Sequence, residues 1–320
     1  MRSFLKLLTV SFLAVIVLAA CSDGSKKTTS AENEDDQKSG GKIKIVTTIA
    51  QIAEPISIIG GEHVEVQSLM GPGVDPHLYK ATQGDIKKLE SSDIVLYSGL
   101  NLEGNMTEAF DKISKKKPVL AISESIPKDK LLNDEEGAVD PHVWFDIELW
   151  KISLQAATEE LKKFSPEHAE EFEANKEKYF NELDELLKES KSKLTEIPKE
   201  KRVLVTAHDA FGYFGRAYEV EVVGLQGLST EDEIGISDID DTIDILMKYK
   251  IPAVFVESSI NQSSIKAVIE GAEKKGLDVK LGGELFSDAM GDAGTEEGTY
   301  IGMYRHNVET IFAALNREGE

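Results

Sequence analysis

Residues 165–196, SPEHAEEFEANKEKYFNELDELLKESKSKLTE, decide the predicted architecture. Ser165 is a good helix N-cap, and Pro166 suits the first helical position. The rest of the stretch contains no Gly and no further Pro, which predicts one helix of roughly 30 residues, about 45 Å long. Its apolar residues recur at steps of three and four, as in an amphipathic helix: Phe172, Tyr179, Phe180, Leu183, Leu186, Leu187 and Leu194. Such a helix either packs along one domain or connects two.

Strands alternate with helical patterns on both sides of this helix. The predicted strands are 42–48, 64–70, 93–98 and 118–122 before it, and 202–206, 220–224, 253–257 and 279–282 after it. Alternation of this kind is typical of parallel sheets covered by helices. Because the pattern starts again after residue 198, we favour a helix that connects two domains. The predicted fold is α/β, with two similar α/β lobes with parallel sheets joined by one long rigid helix.

The first 41 residues predict an export signal and a tether. Arg2 and Lys6 precede an apolar run that is too short for a transmembrane helix, as in a secretory signal peptide. The run ends in Leu-Ala-Ala-Cys21, which resembles the bacterial lipobox, where the Cys receives a diacylglyceryl group and becomes the new N-terminus. The alternative is an ordinary secretory signal with an incidental Cys. Two acyl chains give stable anchoring, so we expect the protein on the extracytoplasmic face of the cell membrane.

These patterns divide the chain into five segments. They are a signal peptide (1–20), a lipidated flexible tether (21–41), an N-terminal α/β lobe (42–164), the connecting helix (165–198) and a C-terminal α/β lobe (199–320).

Composition excludes several kinds of protein. The formal net charge is −22, with 36 Lys+Arg against 58 Asp+Glu. Nucleic-acid binding depends on neutralising phosphates with Lys and Arg, so no nucleic-acid partner is expected. The acidity also disfavours binding to a membrane surface through a basic patch. The single Cys cannot form an internal disulfide or build a Cys-based zinc site.

Three of the six histidines share a setting typical of ligand-binding loops. His77 and His142 both lie in an Asp-Pro-His triplet, and His208 lies at the end of a predicted strand. Ligands of open α/β sheets bind beyond the carboxyl ends of the strands, and Pro stiffens the turns that present the first two rings. Imidazole is a common ligand of divalent transition metals. With Asp288 as an anionic oxygen, the four residues predict a metal site in the interlobe cleft.

The other histidines and carboxylates have plainer interpretations. His63 and His168 are interpreted as solvated surface residues, and His306 as a support of the fold or of the site. Glu257 ends a predicted strand and either orients a ligating His or caps the following helix. A carboxylate that accepts the second ring N–H of a ligating His is also expected, and the sequence does not say which residue supplies it. The candidates are Asp75, Asp140 and Asp209.

Five segments carry a resemblance to a known family. They are MGPGVDPHLY (70–79), DPHVW (140–144), TAHDAFGYF (206–214), GLQGLS (224–229) and YIGMYRH (300–306). The chain resembles the metal-binding lipoproteins of bacterial ABC importers for manganese and zinc, the cluster A-I solute-binding proteins, and looks closest to the manganese-binding members. The resemblance covers everything after Lys42, together with the signal and lipobox. It implies a metal held between two lobes by His77, His142, His208 and Asp288, and delivery to a membrane permease with its cytoplasmic ATPase.

The resemblance leaves the metal open. The third ligand varies within the family, and here it is His208. Many zinc-binding members carry a His-rich acidic loop, whereas the corresponding stretch here, KLLNDEEGAVD (130–140), is acidic but has no His. This absence favours Mn²⁺ over Zn²⁺, with Fe²⁺ as a further possibility. A nitrogen and oxygen site nevertheless has a higher intrinsic affinity for Zn²⁺ than for Mn²⁺.

Two other classes of function compete with the solute receptor. A zinc-dependent hydrolase keeps one coordination position open for water and needs a general base. Four protein ligands and the lack of a His-Glu-x-x-His motif argue against it, so we expect no enzymatic activity. A surface adhesin is compatible with a lipid anchor, but no feature of the sequence requires it. We expect a monomer.

Overall fold

The fold is described from a computed structural model, which covers residues 41–316. The signal peptide, Cys21 and the tether up to residue 40 lie outside the described residues. Between residues 41 and 316, no helix is both long and apolar enough to cross a membrane.

The N-terminal half, residues 42–164, is built around one four-stranded sheet. All its neighbouring strands pair in parallel, in the order β2-β1-β3-β4. The strands are β1 (Ile43–Thr47), β2 (Val64–Ser68), β3 (Ile94–Tyr97) and β4 (Val119–Ala121), and the helices between them are α1 (Ala50–Gly60), α2 (Gln83–Ser91) and α3 (Thr107–Ile113). The apolar, β-branched residues of the strands suit a sheet that is covered by helices. Because all four strands run in the same direction, their carboxyl ends meet at one edge of the sheet.

Two long helices occupy the middle of the chain. The first is α4 (Ile147–Phe164), whose N-cap Asp146 accepts hydrogen bonds from the amides of Glu148 and Leu149 at 3.1 and 3.3 Å. The second is α5 (Ala169–Leu194), which has 26 residues. It packs against α1 and α4 and also against α9 (Tyr300–Leu315) near the end of the chain. The predicted long helix is confirmed, and it contacts both halves.

The long helical segment starts at Pro166 as predicted, but its first turn is not α-helical. Ser165 makes no side-chain capping bond, and Pro166–His168 form a separate 3-10 turn before α5 begins. The amide of His168 donates to the carbonyl of Ser165 at 3.1 Å, which closes this turn with the shorter 3-10 spacing. His168 is thereby the N-cap residue of α5.

The C-terminal half, residues 199–316, holds two parallel strand pairs. In each pair a helix connects one strand to the next, as the alternating pattern predicts. The strands are β5 (Val203–His208), β6 (Glu221–Gln226), β7 (Ala253–Glu257) and β8 (Lys280–Leu285), and the helices are α6 (Gly212–Tyr218), α7 (Ile236–Tyr249), α8 (Ser263–Lys274) and α9. β5 runs alongside β7. The α/β class with parallel sheets is confirmed, and the exact lobe boundaries stay a prediction.

Buried aromatic residues join the two halves beside the predicted site. Tyr300 of α9 donates from its hydroxyl to the carbonyl of Trp144 at 2.6 Å, and Tyr304 donates to the carbonyl of Phe145 at 2.8 Å. All four side chains are at most 1% exposed. Buried hydroxyls need such partners. The segment that follows His142 is therefore fixed against a helix of the C-terminal half.

Candidate metal centre

The structure brings the four predicted ligands together. Ligand atoms of His77, His142, His208 and Asp288 all lie within 4.8 Å of one another. Nε2 of His142 and Nε2 of His208 are each 3.3 Å from a carboxylate oxygen of Asp288, and Nε2 of His77 is 3.6 Å from one. The four residues are between 0 and 5% exposed. Three imidazoles and one carboxylate thus face each other in a closed pocket.

The spacing of these atoms matches that of ligands around one ion. With metal–ligand bonds of about 2.0–2.1 Å, tetrahedral geometry places neighbouring ligand atoms about 3.3 Å apart. The Nε2 atoms of His77 and His142 are 3.3 Å apart, as are two of the imidazole–carboxylate pairs. The residues present therefore fit a small divalent cation without a change of the backbone.

His77 is positioned by a turn that its own neighbour organises. Its backbone amide donates to Oδ1 of Asp75 at 2.8 Å, and its carbonyl accepts from Nδ2 of Asn105 at 2.7 Å. The second oxygen of Asp75 accepts from the hydroxyl of Thr230 at 2.6 Å. Asp75 therefore holds the loop of His77 and not its ring, and it ties that loop to the C-terminal half.

His142 is held by the Asp of its own Asp-Pro-His triplet. Oδ1 of Asp140 accepts both the backbone amide of His142, at 2.9 Å, and its Nδ1, at 2.8 Å. The carbonyl of Asp140 accepts from the hydroxyl of Tyr213 at 2.9 Å. Because Nδ1 donates to Asp140, Nε2 is the ring atom that is available to a metal ion, and it faces Asp288.

His208 ends β5 and pairs with the carboxylate that ends β7. Oε1 of Glu257 accepts from the backbone amide of His208 at 2.9 Å, and Oε2 lies 2.5 Å from its Nδ1. Both side chains are fully buried. Glu257 thus orients the ring of His208, which is one of the two roles that the sequence predicts for it. Asp209, the other candidate beside His208, takes no part in this contact.

Asp288 lies on the loop after β8, and residues of the N-terminal half hold that loop. The carbonyl of Ser287 accepts from Nε2 of Gln51 and from Nε1 of Trp144, each at 3.2 Å. The sequence pattern did not predict that Gln51 supports the site. Gln51 is a fully buried polar residue in the first turn of a helix that follows a strand, and a polar residue at such a position is the only sequence feature that could have pointed to it.

The electrostatics of the pocket favour a positive charge at its centre. Burial alone would raise the pKa of the Asp288 carboxyl, but the charge of His208 and contacts with His142 hold it well below its usual range. Burial lowers the pKa of His77 to about 4. Burial also opposes a charge on His142, yet its hydrogen bond to Asp140 and the charge of Asp288 raise its pKa to about 9. A bound dication would replace the proton on His142.

Unsatisfied polar atoms point to the same centre. Among residues 41–316, both carboxylate oxygens of Asp288 and Nε2 of His208 are buried, yet none of these three atoms has a partner in hydrogen-bonding geometry. A buried carboxylate without partners costs considerable free energy. A metal ion bound by these atoms would remove that cost.

The remaining histidines lie away from this cluster. Nε2 of His306 donates to the carbonyl of Glu284 at 2.9 Å, which fits its interpretation as a support of the fold. His63 and His168, both interpreted as solvated, stack on each other at a distance of 3.6 Å between ring centroids, so each ring is partly covered by the other.

Glu257 gives the first testable prediction. The Glu257→Gln substitution keeps the size of the side chain but removes the charge that orients His208, so we expect metal affinity to fall about 10–100-fold. Glu284→Gln is the matched control, because Glu284 is exposed and lies in the neighbouring strand opposite Val256. Calorimetric titration of both variants measures the effect. Equal affinities of the two variants would show that Glu257 does not support the site.

The chain is similar to known metal-transport proteins over nearly its whole length. The family described as "ZnuA: Zinc-uptake complex component A periplasmic" matches residues 45–314. The manganese-binding lipoprotein MntA of Bacillus subtilis is 49% identical over 97% of this chain and 98% of its own length. The zinc-binding protein TroA of Treponema pallidum is 48% identical over 90% of this chain and 94% of its own.

Solved structures agree with the sequence relatives. The structure of the periplasmic zinc binding protein TroA from Treponema pallidum aligns with a TM-score of 0.85 at 49% identity, covering 87% of this chain and all of that one. The family match, over residues 45–314, spans both halves and all four clustered residues. This chain belongs to the ZnuA family of zinc-uptake complex components.

Proposed function

We propose that this protein is an extracytoplasmic, lipid-anchored receptor that captures one divalent transition metal ion and delivers it to an ABC permease with its cytoplasmic ATPase. The observation that carries the proposal is the closed set of three imidazoles and one carboxylate, with ligand atoms at the spacing of a single coordination sphere. His77, His142, His208 and Asp288 are the proposed ligands. Relatives named as manganese-binding and zinc-binding support the same role.

A receptor fits this geometry better than an enzyme. Four protein ligands fill a tetrahedral sphere, whereas a catalytic zinc site keeps a position open for water. The chain's relatives are substrate-binding components of metal importers. The ion is therefore cargo, and the pocket is built to enclose it and not to react with it.

Enclosure of the ion means that loading and release need movement of the loops. Several hydrogen bonds cross between the halves beside the pocket, among them Thr230 to Asp75 at 2.6 Å, Asn105 to Glu231 at 2.8 Å and Gln51 to the carbonyl of Ser287 at 3.2 Å. Opening the pocket breaks these bonds. The contacts of α5 with both halves limit how far the halves can separate, so we propose small movements of loops and not a wide hinge.

We propose Mn²⁺ as the physiological cargo. The segment 130–140 forms a short turn with a bridge between Asn133 and Val139 and contains no His that could gather zinc. The similarity to MntA supports the same choice. Zn²⁺ is the second candidate, because the donor set of three nitrogens and one oxygen suits tetrahedral zinc and because TroA is equally similar.

Growth and metal content of a deletion strain test the cargo. If the protein imports manganese, the strain should lose cellular Mn and grow poorly when Mn is chelated, and supplied Mn should restore growth. Complementation with the wild-type chain should restore Mn content, whereas a chain with His142→Ala should not. A strain that loses zinc and keeps normal manganese would make Zn²⁺ the cargo. Unchanged contents of both metals would contradict the importer role.

Membrane attachment through Cys21 gives the second prediction. The Cys21→Ser substitution removes the thiol that would receive the diacylglyceryl group, so the protein should leave the membrane fraction and appear in the soluble extracytoplasmic fraction. Ser22→Ala is the matched control and should stay membrane-bound. Fractionation followed by immunoblotting measures both. Continued membrane association of the Cys21→Ser chain would refute lipid anchoring at this residue.

A further inference from the structure

A second group of metal-ligating side chains lies outside the cleft. His63, His168 and Glu171 each offer a ligand atom, and these atoms lie within 4.8 Å of one another. The two imidazole rings stack at 3.6 Å with an angle of 17° between their planes. Nε2 of His63 lies 2.8 Å from Oε2 of Glu171. His63 is distant in sequence from the other two, so the fold itself assembles the group.

The surrounding structure holds this group in place. His63 ends the 3-10 turn Gly61–His63 between α1 and β2, and Nδ2 of Asn175 on α5 anchors the end of α1, just before that turn, by donating to the carbonyl of Ile59 at 3.1 Å. The buried ring of Phe172 lies under both imidazoles, with centroid distances of 6.0 and 6.1 Å. The turn therefore cannot move away from α5 without breaking these contacts.

Glu171 occupies a favourable position for a carboxylate ligand. It lies in the first turn of α5, where the helix dipole stabilises negative charge. It follows His168, the N-cap residue of α5, by three residues, and the ligand atoms of the two side chains lie within 4.8 Å of each other.

The group is separate from the cleft. His63 precedes β2 and His77 follows it, so the two lie beyond opposite ends of the same strand. The five residues of β2 span about 17 Å. The side chains of His63 and Glu171 are 17% and 50% exposed, in contrast to the closed pocket of the cleft. An ion at this surface could exchange with solvent while the cleft stays closed.

We propose that His63, His168 and Glu171 form a second, surface metal site that takes Zn²⁺. Two imidazoles and one carboxylate are usual zinc ligands, and exposure leaves room for water as the fourth. Ligand atoms of tetrahedral zinc lie about 3.3 Å apart, so an ion would bind once the two partly buried imidazoles tilt out of their stack and the exposed Glu171 side chain rotates toward them. Ligands of this kind bind Mn²⁺ more weakly than the other divalent first-row transition metals, so the site prefers Zn²⁺ to Mn²⁺.

Titration of the full chain with Zn²⁺ by calorimetry tests this site. The wild-type chain should bind two zinc ions, one at the cleft and a weaker one at the surface. His168→Ala should lose only the weaker ion, and His142→Ala should lose only the tighter one. Mn²⁺ should give a single binding event in the wild-type chain. One zinc ion per wild-type chain, or two ions with unchanged affinities in the His168→Ala chain, would overturn the proposal.

A charge-matched pair of variants separates ligation from a merely structural contact. Glu171→Gln removes the carboxylate ligand and should weaken the second zinc ion at least 10-fold. Glu170→Gln makes the same charge change at the neighbouring exposed residue and should leave both ions unchanged. Circular dichroism and thermal melting check that both variants fold. Equal zinc affinities of these two folded variants would contradict ligation by Glu171.

Discussion

Replacing His142 by alanine is expected to weaken binding of Mn²⁺ at the cleft by more than about 100-fold, because loss of a residue that only supports a ligand already costs 10–100-fold. The substitution removes Nε2, which lies 3.3 Å from both Asp288 and His77. It also leaves the buried carboxylate of Asp140 without the ring N–H that it accepts. Competition with a chelator of known affinity measures the loss.

The matched control for this prediction is His168→Ala. His168 lies in the surface group beside α5 and not among the cleft residues, so its removal should leave Mn²⁺ affinity unchanged. Asp288→Asn should resemble His142→Ala, because it removes the only anionic oxygen in the cluster while keeping the size of the side chain. Similar losses in the His142→Ala and His168→Ala chains would show that the ligand assignment is wrong.

Metal loading should raise the thermal stability of the protein strongly. At a Mn²⁺ concentration 1,000 times the dissociation constant, binding to the folded state alone adds about 4.1 kcal/mol. For a folded chain of about 280 residues, that free energy corresponds to a rise in Tm of roughly 7 °C. The structural reason is that the ion would join His77 and His142 of one half to His208 and Asp288 of the other. It also gives partners to the unsatisfied oxygens of Asp288.

Differential scanning calorimetry with and without Mn²⁺ measures this stabilisation, and a chelator should reverse it. The same scan on the His142→Ala chain is the control, which should show little dependence on Mn²⁺. Mn²⁺ is the suitable ion because the proposed surface site favours Zn²⁺. An equal rise in the control, or no rise in the wild-type chain, would mean that the cleft does not bind the metal.

Much of the fold could be predicted because its signals are local. The alternation of strands and helices and the Gly-free, Pro-free stretch before Leu194 are visible in short windows of sequence, and the structure confirms both. The start of the helical segment at Pro166 was predicted, whereas the 3-10 form of its first turn was not, because Ser165 and Pro166 favour a helical start equally well in a 3-10 turn and in an α-helix. The arrangement of the C-terminal strands as two pairs depends on contacts between distant segments, which local patterns do not encode.

The site could be predicted as a group because its members share a context at strand ends. The repeated Asp-Pro-His triplet and the strand that ends in His208 pointed to one edge of the fold. The partners of each ring were less accessible. Asp140 holds its own neighbour's ring, whereas Asp75 holds only a loop, and nothing in the two identical triplets distinguishes these roles. The bond of Gln51 to the loop of Asp288 spans most of the chain and depends on tertiary packing.

The stacked pair of His63 and His168 shows the same limit. Each residue taken singly has the pattern of a solvated side chain, one in a Gly-rich turn and the other among acidic residues. Only the packing of α5 beside α1 brings them together.

Anomalous diffraction at the manganese absorption edge, from crystals of the Mn²⁺-loaded protein, shows directly where the metal binds. One strong peak is expected in the cleft, bounded by Nε2 of His77, His142 and His208 and by the carboxylate of Asp288. The peak should disappear in crystals of the His142→Ala chain treated in the same way. Bound manganese with no peak between these four side chains would contradict the proposed metal site.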